Sequence, residues 1–545
     1  MTFRTSKRGS KLDSLFESLW IRNFVLLLLI LGVVFRFYNL DQKVYWHDET
    51  MTSLRISGHT QAEMVEQVYT GDVIQVGGLL DTYQYPNEEY SLSDSFDALR
   101  EHPEHSPLYY LIARFWMMNV PHSVELIRLL SVVFGLLALP CMYWLCMELF
   151  GSSLVSWVST ALFAVSPFHV LYAQEAREYS FWTLTILLSS AACLWAMRVN
   201  RPLPWIIYGL TVALGLYVHP FTGFVAISHG LYVLITAGFP LGRRQLSYLA
   251  ASALALLLFS PWLWVVITRF DQFVGNTASV NLDRSGSLPL FWLLNLSRVF
   301  FDLNQGPSAI NPAHYLLAIL AIASLLFLWR WGSMDAALFI TTLIGVTGLA
   351  IIGPDLLIEG RRSSITRYAV PCYLGIEIAI AYLLTVKLAT RPFSSRAKQR
   401  SRQQWRVLAI SLAAMGIVSC LVSSQVPVWW HKSYAKSRRI PDAAAFVNQQ
   451  EDVLLVSDAQ PAGRILSLSH ELDRDVSLQL GDRPPQIDVP EDYSTVYLYL
   501  PSNQLRNRLE RRQAIVSQPV TLQEDEKDDW LWETTRSDEA VQQAS

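Results

Sequence analysis

Pro107-Leu108-Tyr109-Tyr110-Leu111-Ile112-Ala113-Arg114-Phe115-Trp116-Met117-Met118 is the stretch on which the fold turns. It is apolar but only about twelve residues long, and a helix needs about 20 residues to cross a hydrocarbon core roughly 30 Å thick. Read as a span, it reverses the sidedness of every loop that follows. Read as an interfacial or juxtamembrane helix, it leaves the later loops in a consistent order.

The rest of the chain sets that question in a membrane. Of 545 residues, 52% are hydrophobic and only 16% are charged, where a soluble domain carries about a quarter charged. Long apolar runs account for the deficit, among them Phe24–Val34, Leu246–Leu258 and Leu316–Leu328. Eighteen Trp and twenty-three Tyr suit interfacial anchoring. A net charge of −3 says little here, because its distribution matters more than its sum, and nothing in it suggests a nucleic-acid partner. All five cysteines lie in apolar segments, with no zinc or redox spacing, so a disulfide framework and a thiol nucleophile are not expected. The N-terminus has a basic start and an apolar core. No small-residue cleavage site follows, since Phe35-Arg36-Phe37-Tyr38 is bulky, so the first helix reads as a retained signal anchor.

About eleven transmembrane helices are expected, near 22–38, 126–149, 153–171, 179–197, 204–218, 220–238, 247–267, 313–331, 335–353, 367–387 and 407–424. With a cytoplasmic N-terminus, the inside receives Arg4, Lys7, Arg8 and Lys11, then Arg198, Arg201, Arg243, Arg244 and Arg330. It also receives the densest run, from Lys387 to Arg406. That is the positive-inside pattern of a multi-pass protein of the plasma (inner) membrane. The outer side then holds a long first loop (39–125), short loops near 172–178 and 219, loops at 268–312 and 354–366, and everything from about 425. The expected division is a transmembrane domain over 1–424, an outer soluble α/β domain over 425–534 and a disordered tail over 535–545. In the α/β domain, Pro441–Gln449 and Asn503–Arg512 read as helices, and Asp452–Val456, Val496–Leu500 and Ala514–Val520 as strands.

Three polar constellations fall on that outer side. Trp46-His47-Asp48-Glu49 follows the first span, and adjacent carboxylates at a membrane surface are costly enough to need a reason. One can serve as a general base for an acceptor hydroxyl; the plain alternative is a solvated loop start. Tyr172-Ala173-Gln174-Glu175-Ala176-Arg177-Glu178-Tyr179 sets four polar groups between two apolar runs. Its Arg177 suits a phosphate, or else pairs with a glutamate to tie two helix ends. Arg361, Arg362 and Arg367-Tyr368 keep cations on the side that disfavours them, which points to an anion held there; Asp355 and Glu359 could instead neutralise them. His105-Ser106-Pro107 and His219-Pro220 complete the set, each equally readable as a turn. Asp473-Arg474-Asp475 and the sequon Asn295-Leu296-Ser297 are short enough to arise by chance. No phosphate-binding P-loop and no His-Glu-x-x-His is present, so ATP-driven transport and zinc proteolysis lack support.

Trp46-His47-Asp48-Glu49, His105-Ser106-Pro107-Leu108-Tyr109-Tyr110 and Gln174-Glu175-Ala176-Arg177-Glu178-Tyr179-Ser180 together resemble the bacterial family-39 glycosyltransferases. These belong to the GT-C fold class, with the protein O-mannosyltransferases and the lipid A aminoarabinose transferases. The resemblance covers roughly 20–390, and His-Ser-Pro departs from the commoner His-Pro-Pro. It implies a hexosyl- or pentosyltransferase that takes a sugar from a polyprenyl-phosphate donor to a lipid, glycan or protein acceptor. On it, Asp48 is the base and Glu49 orients the base or acceptor. Arg177, Arg367, His105 and Tyr179 attend the donor phosphate, with His219, Glu175 and Tyr368 in support. No cofactor is required by the motifs, although Asp48, Glu49 and a phosphate could hold a divalent metal. A lipid phosphate is a good leaving group, so one base and stabilising cations suffice for an inverting displacement, unlike the carboxylate pair of a glycoside hydrolase. The rival class is a transporter or flippase of a lipid-linked sugar, which would place charges near the midplane and show inverted repeats.

Overall fold

The computed structural model describes residues 19–238, 240–278, 286–389, 396–458, 460–482, 487–522 and 529–536. The basic residues 4–11 and part of the 387–406 run lie outside them. So does the expected tail, except Thr535 and Arg536, which close a strand. The chain forms two compact units: residues 1–40, 102–109 and 128–425 in the first, and 41–101, 110–127 and 426–545 in the second.

The first unit is a bundle of apolar helices. Among the described residues, eight helices are long and apolar enough to cross a bilayer: Leu19–Phe37, Val124–Phe150, Tyr179–Val199, Arg243–Thr268, Pro312–Trp331, Met334–Leu357, Thr366–Leu388 and Gln399–Ser423. The expected segment 153–171 is a broken pair, Ser153–Ala164 and Pro167–Ala173, bent by 62°. Pro167 explains the break, since its ring has no N–H to continue the ladder. The carbonyl freed at Ala164 accepts a hydrogen bond from Arg36 Nη1 at 2.7 Å, and Ser166 Oγ donates to the Val299 carbonyl at 2.7 Å. The first helix lies so close to this break that a Cβ on Gly32 would fall 2.4 Å from the Ala164 oxygen. Segments 204–218 and 220–238 form the shorter helices Pro202–Val218 and Thr222–Ala237. The stretch 268–312 is not the plain loop expected: it carries helices Phe270–Thr277 and Leu288–Ser297.

Helix Leu108–Met117 spans ten residues, well short of a bilayer crossing. Its Arg114 is buried and donates to the carbonyls of Ile56 and Tyr90 and to Ser95 Oγ. A guanidinium bonded to three groups of the first loop commits this helix to that loop.

The second unit is built on a six-stranded sheet. The strands are β1 (Thr70–Gln75), β2 (Val453–Asp458), β3 (Ser477–Gly481), β4 (Thr495–Tyr499), β5 (Ile515–Pro519) and β6 (Leu531–Arg536). Their order is β1-β3-β2-β4-β6-β5, with β2 parallel to β3 and β4 and the outer pairs antiparallel. Every residue of β2 and β3 is buried, as expected of parallel strands covered on both faces. Helices Ile440–Val447 and Asn503–Gln513 stand close to where the sequence puts them.

The division into domains differs from the expected one. Residues 41–101 share a sheet and a core with the C-terminal segment: β1 pairs with β3, and Trp46, Leu54 and Leu79 pack with Leu455, Leu466 and Leu480. The first loop buries its apolar side chains against the C-terminal strands, which is the physical reason that they form one body.

Candidate functional site

Five of the expected residues gather in the first unit. Gln174 Nε2 donates to the carbonyls of Phe35 and Tyr38 at 2.8 and 2.9 Å, which ties the Gln174–Tyr179 turn to the end of the first helix. Arg177 follows, buried, with Nη2 3.2 Å from Glu178 Oε1. Its guanidinium stands 5.8 Å from the ring centre of Tyr179, and that of Arg367 stands 5.2 Å from the same ring. Tyr179 thus carries two cations. His219 closes the group 6.1 Å from Tyr179, and Phe221 joins it to Tyr368.

The state of His219 follows from its bonds. Its Nδ1 accepts the Phe221 backbone N–H at 3.2 Å, which assigns the proton to Nε2. Burial, then the charges of Arg177 and Arg367, push its pKa down to about 3. The cluster therefore holds two permanent cations, one of them paired with Glu178, together with a neutral imidazole and a phenol, a set of donors that suits an anion.

The His105 motif is bonded to the same unit by backbone contacts. Ser106 Oγ donates to the Leu216 carbonyl at 2.7 Å, at the end of the helix that His219 caps. Tyr109 Oη lies 2.9 Å from Ser131 Oγ, which is 3.3 Å from the Arg177 carbonyl. His105 itself lies 3.7 Å from Glu104 and is partly exposed. Glu175 is fully buried.

Of Arg361, Arg362 and Arg367, Arg362 has the bland explanation. Asp355 accepts the backbone N–H groups of Arg362 and Ser363 at 3.0 and 2.6 Å, and Arg362 Nη1 lies 3.5 Å from it. The turn also binds Asn295, which donates to the Ser364 carbonyl and accepts from Thr366. That side chain is buried, so the sequon Asn295-Leu296-Ser297 is not presented for glycosylation. Asp473-Arg474-Asp475 is likewise a surface feature, with Arg474 paired to Asp81.

Asp48 and Glu49 belong to the second unit, in the first turn of helix His47–Ser57. The Trp46 carbonyl accepts from the N–H groups of Glu49 and Thr50 at 2.9 and 3.0 Å. Asp48 is partly exposed and Glu49 is buried. Glu49 Oε2 accepts from Lys432 Nζ at 2.6 Å. The carboxylate expected to share a divalent metal with Asp48 is thus paired with a lysine, and among the described residues no group of three or more His, Cys, Asp or Glu side chains is arranged to hold a metal ion.

Sequence reasoning missed Lys432, Trp182 and Ser131. For Lys432 a signal was there: a lysine directly after Trp429-Trp430-His431 has bulky flanks that favour burial. Trp182, which stacks on His219, and Ser131 sit inside apolar runs with nothing to mark them.

A bundle of apolar helices, a first loop with short helices and a C-terminal sheet are the architecture of the GT-C fold class. Residues 102–265, which include His105, Arg177, Tyr179 and His219, match the family described as dolichyl-phosphate-mannose-protein mannosyltransferase. Two solved structures share the fold. One is ArnT from Cupriavidus metallidurans bound to undecaprenyl phosphate, at a TM-score of 0.53 and 13% identity, covering 94% of this chain and 97% of that one. The other is the oligosaccharyltransferase of Archaeoglobus fulgidus in its apo form, at a TM-score of 0.51 and 12% identity, covering 86% of this chain and 65% of that one. No curated protein matches in sequence.

Proposed function

We propose that the chain is an inverting membrane glycosyltransferase that moves a pentose or hexose from a polyprenyl phosphate to an acceptor hydroxyl on the outer face of the plasma membrane. One observation carries the reading: Arg177 and Arg367 both stand by the Tyr179 ring beside a neutral His219, and Arg177, Tyr179 and His219 fall in the segment that matches a lipid-phosphate-sugar transferase family. That group suits the phosphate of the donor, with Tyr368, Glu175 and His105 in support. Undecaprenyl phosphate bound to the similar ArnT is a ligand of the same chemistry.

Leaving-group charge would develop on the phosphate, where fixed guanidinium groups stabilise it. Asp48, partly exposed at the start of its helix, takes the acceptor proton as the hydroxyl attacks. Glu49 orients the turn that carries it. The C–O bond from sugar to phosphate breaks as the bond from sugar to acceptor oxygen forms, and the proton passes to the Asp48 carboxylate.

The test uses purified chain, a panel of radiolabelled undecaprenyl-phosphate pentoses and hexoses, and envelope lipids and glycans from a strain lacking the chain. Label should pass to an acceptor and undecaprenyl phosphate should be released. Asp48→Asn should abolish transfer while the protein stays folded and membrane-inserted. Full transfer by that variant would remove the base assignment.

The transporter reading has one observation on its side. His169 Nε2 lies 2.9 Å from Glu377 Oε2, both buried within the bundle, and intramembrane ionisable groups often mark a transport path. In reconstituted vesicles a transporter would move the donor across the bilayer without consuming it.

A further inference from the structure

The segment after the last long helix shares a unit with the first loop and brings a lysine to the carboxylate beside the proposed base. Lys432 Nζ and Glu49 Oε2 are 2.6 Å apart, and both side chains are 0% exposed. Such a pair loses the hydration of two ions, so its net gift to stability is small and its use lies in what it specifies. Lys432 ends a 3-10 turn, Trp430–Lys432, whose last carbonyl accepts from Ser437 Oγ at 2.7 Å.

A second piece of the C-terminal segment meets the same turn. Gly463 lies in helix Ala462–Ser469, and a Cβ there would fall 2.1 Å from His47 Nδ1. Its carbonyl accepts from Thr50 Oγ1 at 3.2 Å. No side chain but hydrogen lets the two backbones and the imidazole approach so closely. Residues 47, 49 and 50 are thus each fixed from the C-terminal domain, and Asp48 stands among them, partly exposed.

We infer that the C-terminal domain is a positioning device for the Trp46–Glu49 turn, and that Lys432 is its positioning residue. Lys432 acts through Glu49: the buried pair fixes the first turn of helix His47–Ser57 and so the direction in which Asp48 meets the acceptor. The inference rests on the reading of Asp48 as base.

The variant Lys432→Met/Glu49→Gln removes both charges together, which avoids stranding either member of this pair as a lone buried ion, and is made in the full chain. Hydrogen–deuterium exchange of the peptide covering 44–57 needs no substrate. It should rise about tenfold, while peptides from 128–265 keep wild-type rates. Donor turnover in the assay above should show kcat down about 30-fold with the donor KM within about threefold, a split that mere loss of folded protein would not give. Wild-type exchange and kcat overturn the inference. So does global unfolding of the double variant, because the pair would then hold the fold and not the turn. Asp48→Asn separates the two claims: turnover in that variant sinks the base assignment, while the exchange result decides positioning by itself.

Discussion

The imidazole of His219 lies flat on the indole of Trp182, ring centres 4.1 Å apart and planes within 19° of parallel. With Nδ1 accepting from Phe221, burial and two nearby guanidinium groups hold the ring neutral, its pKa lowered from 6.5 to about 3. A folded pKa below the unfolded one gives stability that is present above pH 6.5 and is lost as the pH falls towards 3. The slope is about 1.4 kcal/mol per pH unit. Thermal unfolding in detergent should therefore show a larger drop between about pH 7.5 and pH 4.5 for the wild type than for His219→Gln. Equal drops would mean that His219 is charged in the native state.

The two arginines on Tyr179 should bind the donor phosphate. A charge-assisted hydrogen bond is worth about 1.5–3 kcal/mol, so Arg177→Ala and Arg367→Ala should each weaken undecaprenyl phosphate binding about 10- to 100-fold. Arg177→Lys keeps the charge but loses the planar face over the Tyr179 ring, and should fall between wild type and alanine. Because Arg177 pairs with buried Glu178, the Glu178→Gln background controls for an uncompensated carboxylate. Calorimetric titration with undecaprenyl phosphate measures all of these, and unchanged affinity in both alanine variants would remove the phosphate assignment.

The bundle was legible because a span writes itself as about 20 apolar residues. Helices such as Pro312–Trp331 and Met334–Leu357 stand close to where composition places them. Arg367 stood out for the opposite reason, as a charge on a side expected to disfavour it, and Arg177 as a cation in a polar turn between two apolar runs. Strand β1 was not legible, because Thr70-Gly71-Asp72-Val73-Ile74-Gln75 has no clean alternation and owes its extension to pairing with β3 through an irregular register. Nor was Lys432, about 380 residues from the glutamate it meets, since a buried ion pair leaves no periodic trace. The domain boundary failed on the same ground: pairing between distant strands is set by burial in three dimensions, and a loop strand carries no label of its partner.

His169 and Glu377 make a sharper claim about stability than about transport. The imidazole stands against Phe163 and Phe168, and the pair joins the broken helix to helix Val370–Leu388. Removing one partner leaves a polar group in an apolar bundle, so His169→Leu or Glu377→Leu should each cost about 3–5 kcal/mol. The double variant should cost clearly less than the sum, since two apolar groups can pack where two hydrogen-bonded polar groups did. Thermal unfolding of the three variants in detergent measures the coupling; simple additivity would mean that the two side chains do not stabilise each other.

Sidedness rests on helix Leu108–Met117, ten residues with a buried arginine. If it does not cross, Ile310 faces outward and Arg201, at the start of helix Pro202–Val218, faces the cytoplasm. Both positions are exposed, Ile310 at 91%, whereas 172–178 is buried throughout and would report poorly. Four of the native cysteines are buried and Cys141 is half-buried, which keeps the background low. An impermeant maleimide should label Ile310→Cys in intact cells and Arg201→Cys only after permeabilisation. The reverse pattern would mean that Leu108–Met117 crosses despite Arg114, and a transferase with base and phosphate cations on one face of the membrane would no longer be tenable.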